Sequence, residues 1–240
     1  MTGLLDVRRA TDRAATNTSW LTSRHSFSFN DYYDPANTHH GLLLVNNDDV
    51  VAPGTGFDTH PHRDAEIITW VLSGALSHRD SIGNSGVIVP GLAQRMSAGS
   101  GILHSEKNES DSTPVHFIQM WIMPDTPGAD PGYQQHDIGD ALAGGGLIAV
   151  ASGSDPDAAV GIGNAGATLH AARLQPGDRV ELPDAPYTHL FVAVGHVDLE
   201  GVGALHTGDA VRYTGDGGQR LIASAPAEIL IWEMQRRLGG

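Results

Sequence analysis

Two stretches, Gly56-Phe57-Asp58-Thr59-His60-Pro61-His62 and Ile102-Leu103-His104-Ser105-Glu106, each place two metal-ligating residue types at positions i and i+2. Successive side chains of an extended strand point to opposite faces, so i and i+2 point the same way. His60 and His62 therefore share one face, with Pro61 turned away, and His104 and Glu106 share another. If two such strands meet across a small β-barrel, three imidazoles and one carboxylate converge. Mixed nitrogen and oxygen ligands suit a divalent transition metal and can leave coordination positions open.

The rest of the chain supports many short strands. Its 30 Gly and 13 Pro fall mostly in short turn-like clusters between apolar runs, a pattern typical of a β-sandwich or barrel. Residues 24–29, 42–45, 50–52, 66–72, 87–89, 92–97 and 115–123 read as strands, with a polar turn at Asn46–Asp49. Residues 1–24 read as an edge strand or wrapping arm. The segment 125–167 reads as loop with one apolar run at 147–151. Seven further strands follow, from Ala167 to Met234. Ile67–Asp80 resembles His189–Gly201, with Gly74 opposite Gly195. This weak repeat predicts two similar halves, 1–135 and 136–240. An ungapped count from those glycines sets Glu181 opposite His60 and Pro183 opposite His62, and nothing replaces His104. The second half is expected to keep the scaffold and lack the ligands.

Composition removes several classes of function. The net charge is −14 with no basic cluster, which argues against nucleic-acid contact and against an anionic membrane surface. With no cysteine there are no disulfides, thiolate sites or cysteine nucleophiles. The N-terminus has no signal-type apolar core, and no run approaches the ~20 apolar residues of a membrane span. A cytoplasmic protein is expected. No Ser-centred hydrolase motif occurs, and the glycines at 99–101 lack the Lys and helix of a phosphate loop.

Gly54 to Glu66, with its HPH-x3-E ending, resembles the first cupin motif, although the closing Gly74 comes one residue later than usual. Gly101-Ile102-Leu103-His104-x3-Asn108 resembles the second, with Gly99 where proline is usual. Arg24–Phe29, Asp31–Pro35, Thr59–Glu66, His78-x-Asp80-Ser81-x-Gly83-Asn84, Met96–Glu106 and Gln119–Pro124 narrow the resemblance to the pirin family. They cover most of residues 24–124. The resemblance implies an all-β bicupin, two tandem jelly-roll barrels, with one metal in the first. It implies His60, His62, His104 and Glu106 as the ligands. Ordinary cupins use the first-motif glutamate instead, here Glu66, which is left as an outer contact or a pocket base.

The remaining histidines are expected to stay outside the site. His39 and His40 fall in a loop, where histidines are usually solvated. His25 is a candidate to roof the pocket. His78 and His116 read as hydrogen-bonding strand or turn residues, and Gln119 and Trp121 as packing or wall residues. The resemblance implies a metal-dependent dioxygenase of the quercetin 2,3-dioxygenase kind, acting with O2 on a polyphenol or aromatic enol. Fe(II) is the expected metal, and Mn, Ni, Co, Cu or Zn also suit the ligands. Glu106 or Glu66 would take the substrate proton. The alternative is an iron-binding co-regulator whose affinity for a protein partner follows the metal's oxidation state.

Overall fold

The computed structural model describes residues 4–215 and 217–239. In order, the chain forms β1 (Leu4–Arg8), a 3-10 turn at Ala10–Asp12, β2 (Ala14–Asn17), β3 (Leu21–His25), β4 (Leu43–Val51), β5 (Gly56–His62) and β6 (Glu66–Ser73). Next come β7 (Leu76–Asp80), β8 (Ser85–Ile88), β9 (Leu92–Ser97), β10 (Ile102–Lys107), β11 (Val115–Ile122) and β12 (Gly132–Asp137). A short helix α1 (Gly139–Ala143) leads to β13 (Ile148–Ser152), β14 (Val160–Gly161), β15 (Ala167–Leu174), β16 (Arg179–Glu181) and β17 (Tyr187–Val194). The chain closes with β18 (His196–Leu199), β19 (Gly203–His206), β20 (Ala210–Thr214), β21 (Arg220–Ala223) and β22 (Ala227–Met234).

The strands form two jelly-roll halves, each a seven-stranded sheet against a four-stranded one. The first half pairs β12-β9-β6-β11-β4-β3-β2 with β5-β10-β7-β8. The second pairs β1-β20-β17-β22-β15-β13-β14 with β16-β21-β18-β19. The N-terminal β1 thus belongs to the second half's sheet, and residue 135 falls inside β12, an edge strand of the first. The glycine repeat is structural. Gly74 and Gly195 have φ of 78° and 87°, and a Cβ on either would collide with the carbonyl of Pro114 or Pro226.

Alternation along the long strands places three kinds of interior. On β6, Ile67 and Val71 face into the first half, while Ile68 and Trp70 join the core between the halves. On β11, Phe117 faces inward and Ile118 and Met120 outward. On β22, Ile229 and Ile231 fill the second half, while Leu230 and Trp232 meet the first. The two large sheets therefore pack back to back. Trp70 Nε1 donates to Glu228 Oε1 at 2.5 Å, and Arg173 Nε donates to Glu228 Oε2 at 2.7 Å, so a carboxylate of β22 ties the halves together.

Several expectations are corrected. Asn46–Asp49 is not a turn but the middle of β4, paired on both sides by β3 and β11. Its polar side chains are hydrogen-bonded: buried Asn46 donates from Nδ2 to Ser26 Oγ at 3.1 Å and buried Asn47 Oδ1 meets His25 Nδ1 at 3.0 Å, while half-buried Asp48 accepts from Arg13 Nη1 at 3.1 Å and meets His116 Nε2 at 2.7 Å. The strand expected through Phe29 stops at His25. Beyond it the Ser26 carbonyl accepts from Arg212 Nη2 and Asn37 Nδ2 side chains rather than from a ladder. The 125–167 segment contains β12, α1, β13 and β14; β12 escaped detection because it is a polar, largely exposed edge. No helix among the described residues is long and apolar enough to cross a membrane.

His40 is not a solvated loop residue. It sits between the halves, with its Nε2–H donating to the carbonyls of Thr188 at 3.2 Å and Tyr213 at 3.1 Å. Burial, and then the nearby Arg212, push its pKa down to about 4. A folded-state value below the unfolded value near 6.5 means the unfolded chain takes up the proton first. This contribution to stability is complete above pH 6.5 and is lost as pH falls through 4, by up to roughly 3 kcal/mol. Urea unfolding of metal-free protein at pH 7.5 and pH 5 should show that loss. His40→Gln should flatten part of the slope; an unchanged slope would refute the assignment.

Candidate metal centre

β5 and β10 pair antiparallel, with His60 directly opposite His104 and His62 opposite Ile102. A register irregularity adds one residue on the β5 side between Phe57 and His60. β5 is an edge strand, so Pro61 costs no ladder hydrogen bond to a missing neighbour. On β10, Ile102, His104 and Glu106 are buried and Leu103 is exposed, as the i, i+2 argument requires.

The structure brings three imidazoles together. Ring centroids are 4.8 Å apart for His60–His62, 4.4 Å for His60–His104 and 4.9 Å for His62–His104. One ligand atom from each lies within 4.8 Å of the others. His60 Nδ1–H donates to the Asp58 carbonyl at 2.7 Å, which leaves Nε2 as the lone pair. His104 Nε2 is buried and has no hydrogen-bond partner, a state that normally costs about 1–3 kcal/mol. Burial, and then the neighbouring His60, push His62 down to about 4. Burial, then His60, His62 and His78, push His104 down to about 2. His62 and His104 are therefore neutral near pH 7, the form that binds metal. An orphaned inward lone pair among neutral imidazoles fits a divalent transition metal.

Glu106 shares the buried face of β10 but stands outside this three-membered group. Its carboxylate accepts from Gln119 Nε2 at 2.8 Å and from Thr69 Oγ1 at 3.4 Å. Burial raises its pKa against those donors. Trp121 Nε1 in turn donates to Gln119 Oε1 at 3.1 Å. Glu66 is not brought to the site. It precedes Ile68 and Trp70 on the outward face of β6, accepts from Ser97 Oγ at 2.7 Å, and lies beside Gly163 of the second half.

Aromatic rings surround the imidazoles. Trp121 meets His62 edge-on at 4.8 Å, Phe29 meets Trp121 at 5.7 Å, and Phe57 lies 6.3 Å from His60. His25 stacks under Phe29 at 5.2 Å, so it supports the roof rather than lining it. An open hollow of about 490 Å³ lies against His62, lined by Pro61, Arg63, Ser81 and Gly101–Leu103. Gln119 and Trp121 do form wall, and they also contact Glu106 and His62. The alternation of β11 from Phe117 could have signalled that. His116 pairs with Asp48 and His170 with Glu233, away from the site.

Two jelly rolls in tandem, with an imidazole cluster in the first and a largely aliphatic filling in the second, define a bicupin with one candidate metal centre among the described residues. The sequence profile described as Pirin matches residues 7–122. A Mycobacterium tuberculosis protein named "Putative quercetin 2,3-dioxygenase" is 62% identical over 240 residues, covering 100% of this chain and 98% of that one. The Escherichia coli K12 protein named "Quercetin 2,3-dioxygenase" is 46% identical over 145 residues, 60% of this chain and 62% of its own. The structure of the bacterial pirin YhhW from Escherichia coli in complex with nickel(II) superposes with a TM-score of 0.88 at 34% identity, covering 98% and 100% of the two chains. The chain belongs to the pirin family.

Adding nickel(II) to metal-free protein should raise its unfolding free energy, by about 2.7 kcal/mol at a free metal concentration of one hundred times Kd. His104→Ala should abolish that shift in a calorimetric melt. A variant stabilised as much as wild type would move the site elsewhere.

Proposed function

We propose that this chain is a metal-dependent dioxygenase that opens the ring of a flavonol or related aromatic enol, the chemistry named for its relatives. One observation carries the reading: three clustered imidazoles with an orphaned inward nitrogen, set beneath aromatic walls. His60, His62 and His104 would hold the metal, with Glu106 as the fourth ligand and Fe(II) the expected ion. Such a metal supplies Lewis acidity and a centre with open positions for substrate oxygen and O2.

The chain's own residues supply the rest. Trp121 and Phe29 offer ring faces and edges for a planar substrate beside His62, and apolar aromatic walls exclude water from it. The Glu106 carboxylate, buried beside the imidazoles, takes the proton of the substrate's ring hydroxyl. Gln119 and Thr69 hold that carboxylate in place. Glu66 faces the other half and has no part in this step. Each turnover consumes one O2 and releases one carbon monoxide.

Oxygen uptake with quercetin should occur in Fe(II)-loaded protein and disappear on chelation, with carbon monoxide released one to one. Glu106→Gln should lower kcat by about 10²–10⁴. Equal rates with and without metal would sink the proposal. Stoichiometric metal without any oxygen uptake would favour a role in which the metal state governs partner binding.

A further inference from the structure

The stretch His78-x-Asp80-Ser81-x-Gly83-Asn84 has no place in the centre so far described. β7 lies on the far side of β10 from β5, with Asp80 opposite His104 and His78 opposite Glu106. His78 Nδ1 is 3.4 Å from His104 Nδ1, and His78 Nε2 is 3.4 Å from Asp80 Oδ2. Neither the His78 nor the Asp80 side chain reaches solvent. We propose that His78 and Asp80 are a positioning pair that fixes the tautomer of His104 and aims its Nε2 lone pair at the metal.

Counting protons gives the argument. Asp80 is built as a carboxylate acceptor: Oδ1 accepts the backbone N–H groups of Ile82 at 3.1 Å and Asn84 at 2.9 Å. Oδ2 accepts Asn84 Nδ2–H at 2.9 Å and faces His78 Nε2. A carboxylate there requires His78 to carry its proton on Nε2. With that proton on Nε2, His78 turns its Nδ1 lone pair to His104 Nδ1 at 3.4 Å, so the one proton between the two imidazoles sits on His104 Nδ1. That leaves His104 Nε2 as the lone pair, and it is the buried nitrogen without a protein partner. Metal-bound histidines usually donate their other N–H to a carboxylate or carbonyl, which orients the ring and strengthens it as a ligand. Here the carboxylate acts through an intervening imidazole.

The surroundings hold this relay still. The His78 ring stacks on Tyr133 at 4.7 Å and 26°. Ser81 is bonded twice to Leu103, the residue before His104: Ser81 N–H donates to the Leu103 carbonyl at 2.8 Å, and Leu103 N–H to Ser81 Oγ at 3.1 Å. The turn that presents Asp80 is thus stitched to the strand that presents the ligand.

The proposal rests on His104 being a metal ligand, and the test separates the two. Nickel(II) affinity by chelator competition is measured for wild type, His78→Phe, His78→Gln, Asp80→Asn and His104→Ala, with metal-free melts to confirm folding. His78→Phe keeps a ring against Tyr133 but has no acceptor; it should weaken binding by about 10–100-fold, the range for losing an outer hydrogen-bond partner. Glutamine keeps an acceptor and a donor and should restore most of that loss, with Asp80→Asn falling between. In cobalt(II)-substituted protein, the paramagnetically shifted exchangeable proton of His104 Nδ1 should vanish or exchange faster in His78→Phe and return in His78→Gln. Wild-type affinity and an unchanged exchangeable spectrum in folded His78→Phe would overturn the pair. If that variant does not fold, the same result for Asp80→Asn would do so. Wild-type affinity in His104→Ala would remove the ligand assignment itself, and the pair with it.

Discussion

Everything at the centre depends on the register between β5 and β10. One residue of slip would turn every side chain of a strand to the opposite face, sending His60 and His62 to solvent and Pro61 inward. Local features hold the register. Gly56 opposes Lys107 with φ of 147°, so close to the Glu106 carbonyl that a Cβ would collide with it. The extra residue of β5 then brings Asp58 O under His60 Nδ1. Lys107 Nζ pairs with Asp58 Oδ1 on the outside of the same irregularity. The irregularity therefore sets both which strand positions oppose and which nitrogen of His60 faces inward.

The second half shows the same scaffold filled by apolar side chains. Its four-stranded sheet repeats the strand order of the first, with β16 and β21 in the places of β5 and β10. Val180 pairs with Leu221, and Val180, Leu182, Leu221 and Ala223 all point into an aliphatic core. Glu181 is exposed. The ungapped count that set it opposite His60 does not survive the connection Leu182–Pro186, which is longer than Arg63–Ala65 after β5. The repeated scaffold was legible, but the residues that fill the second interior were not.

The meeting of His60, His62 and His104 was legible because i, i+2 spacing is a property of one strand. Contacts that depend on a neighbouring strand were hidden. His78 reads as an ordinary turn histidine until β7 is laid beside β10. Glu66 reads as a pocket carboxylate until the face of β6 is assigned. The polar run Asn46–Asp49 reads as a turn because buried polar side chains are uncommon in strands. In this fold it lies where a polar interior and an Arg13–Asp48–His116 network need it. His189 is wholly buried with both ring nitrogens unpartnered, and no local pattern distinguishes it from the exposed His196 and His206.

The pairing of a filled half with a polar one has a mechanical reason. β6 and β11 carry the site on one face, through Thr69, Gln119 and Trp121, and the inter-half core on the other, through Ile68, Trp70, Ile118 and Met120. A polar interior contributes little hydrophobic stabilisation of its own, and a protein interior holds side chains in place only when it is densely packed. Trp232, Leu230 and Phe191 of the second half supply that packing to the backs of these strands. Glu228 adds a hydrogen bond to Trp70, one residue from Thr69. The second half can therefore hold the wall that carries Glu106's partners, so that the cost of burying imidazoles and a carboxylate in the first barrel is offset by apolar contact outside it.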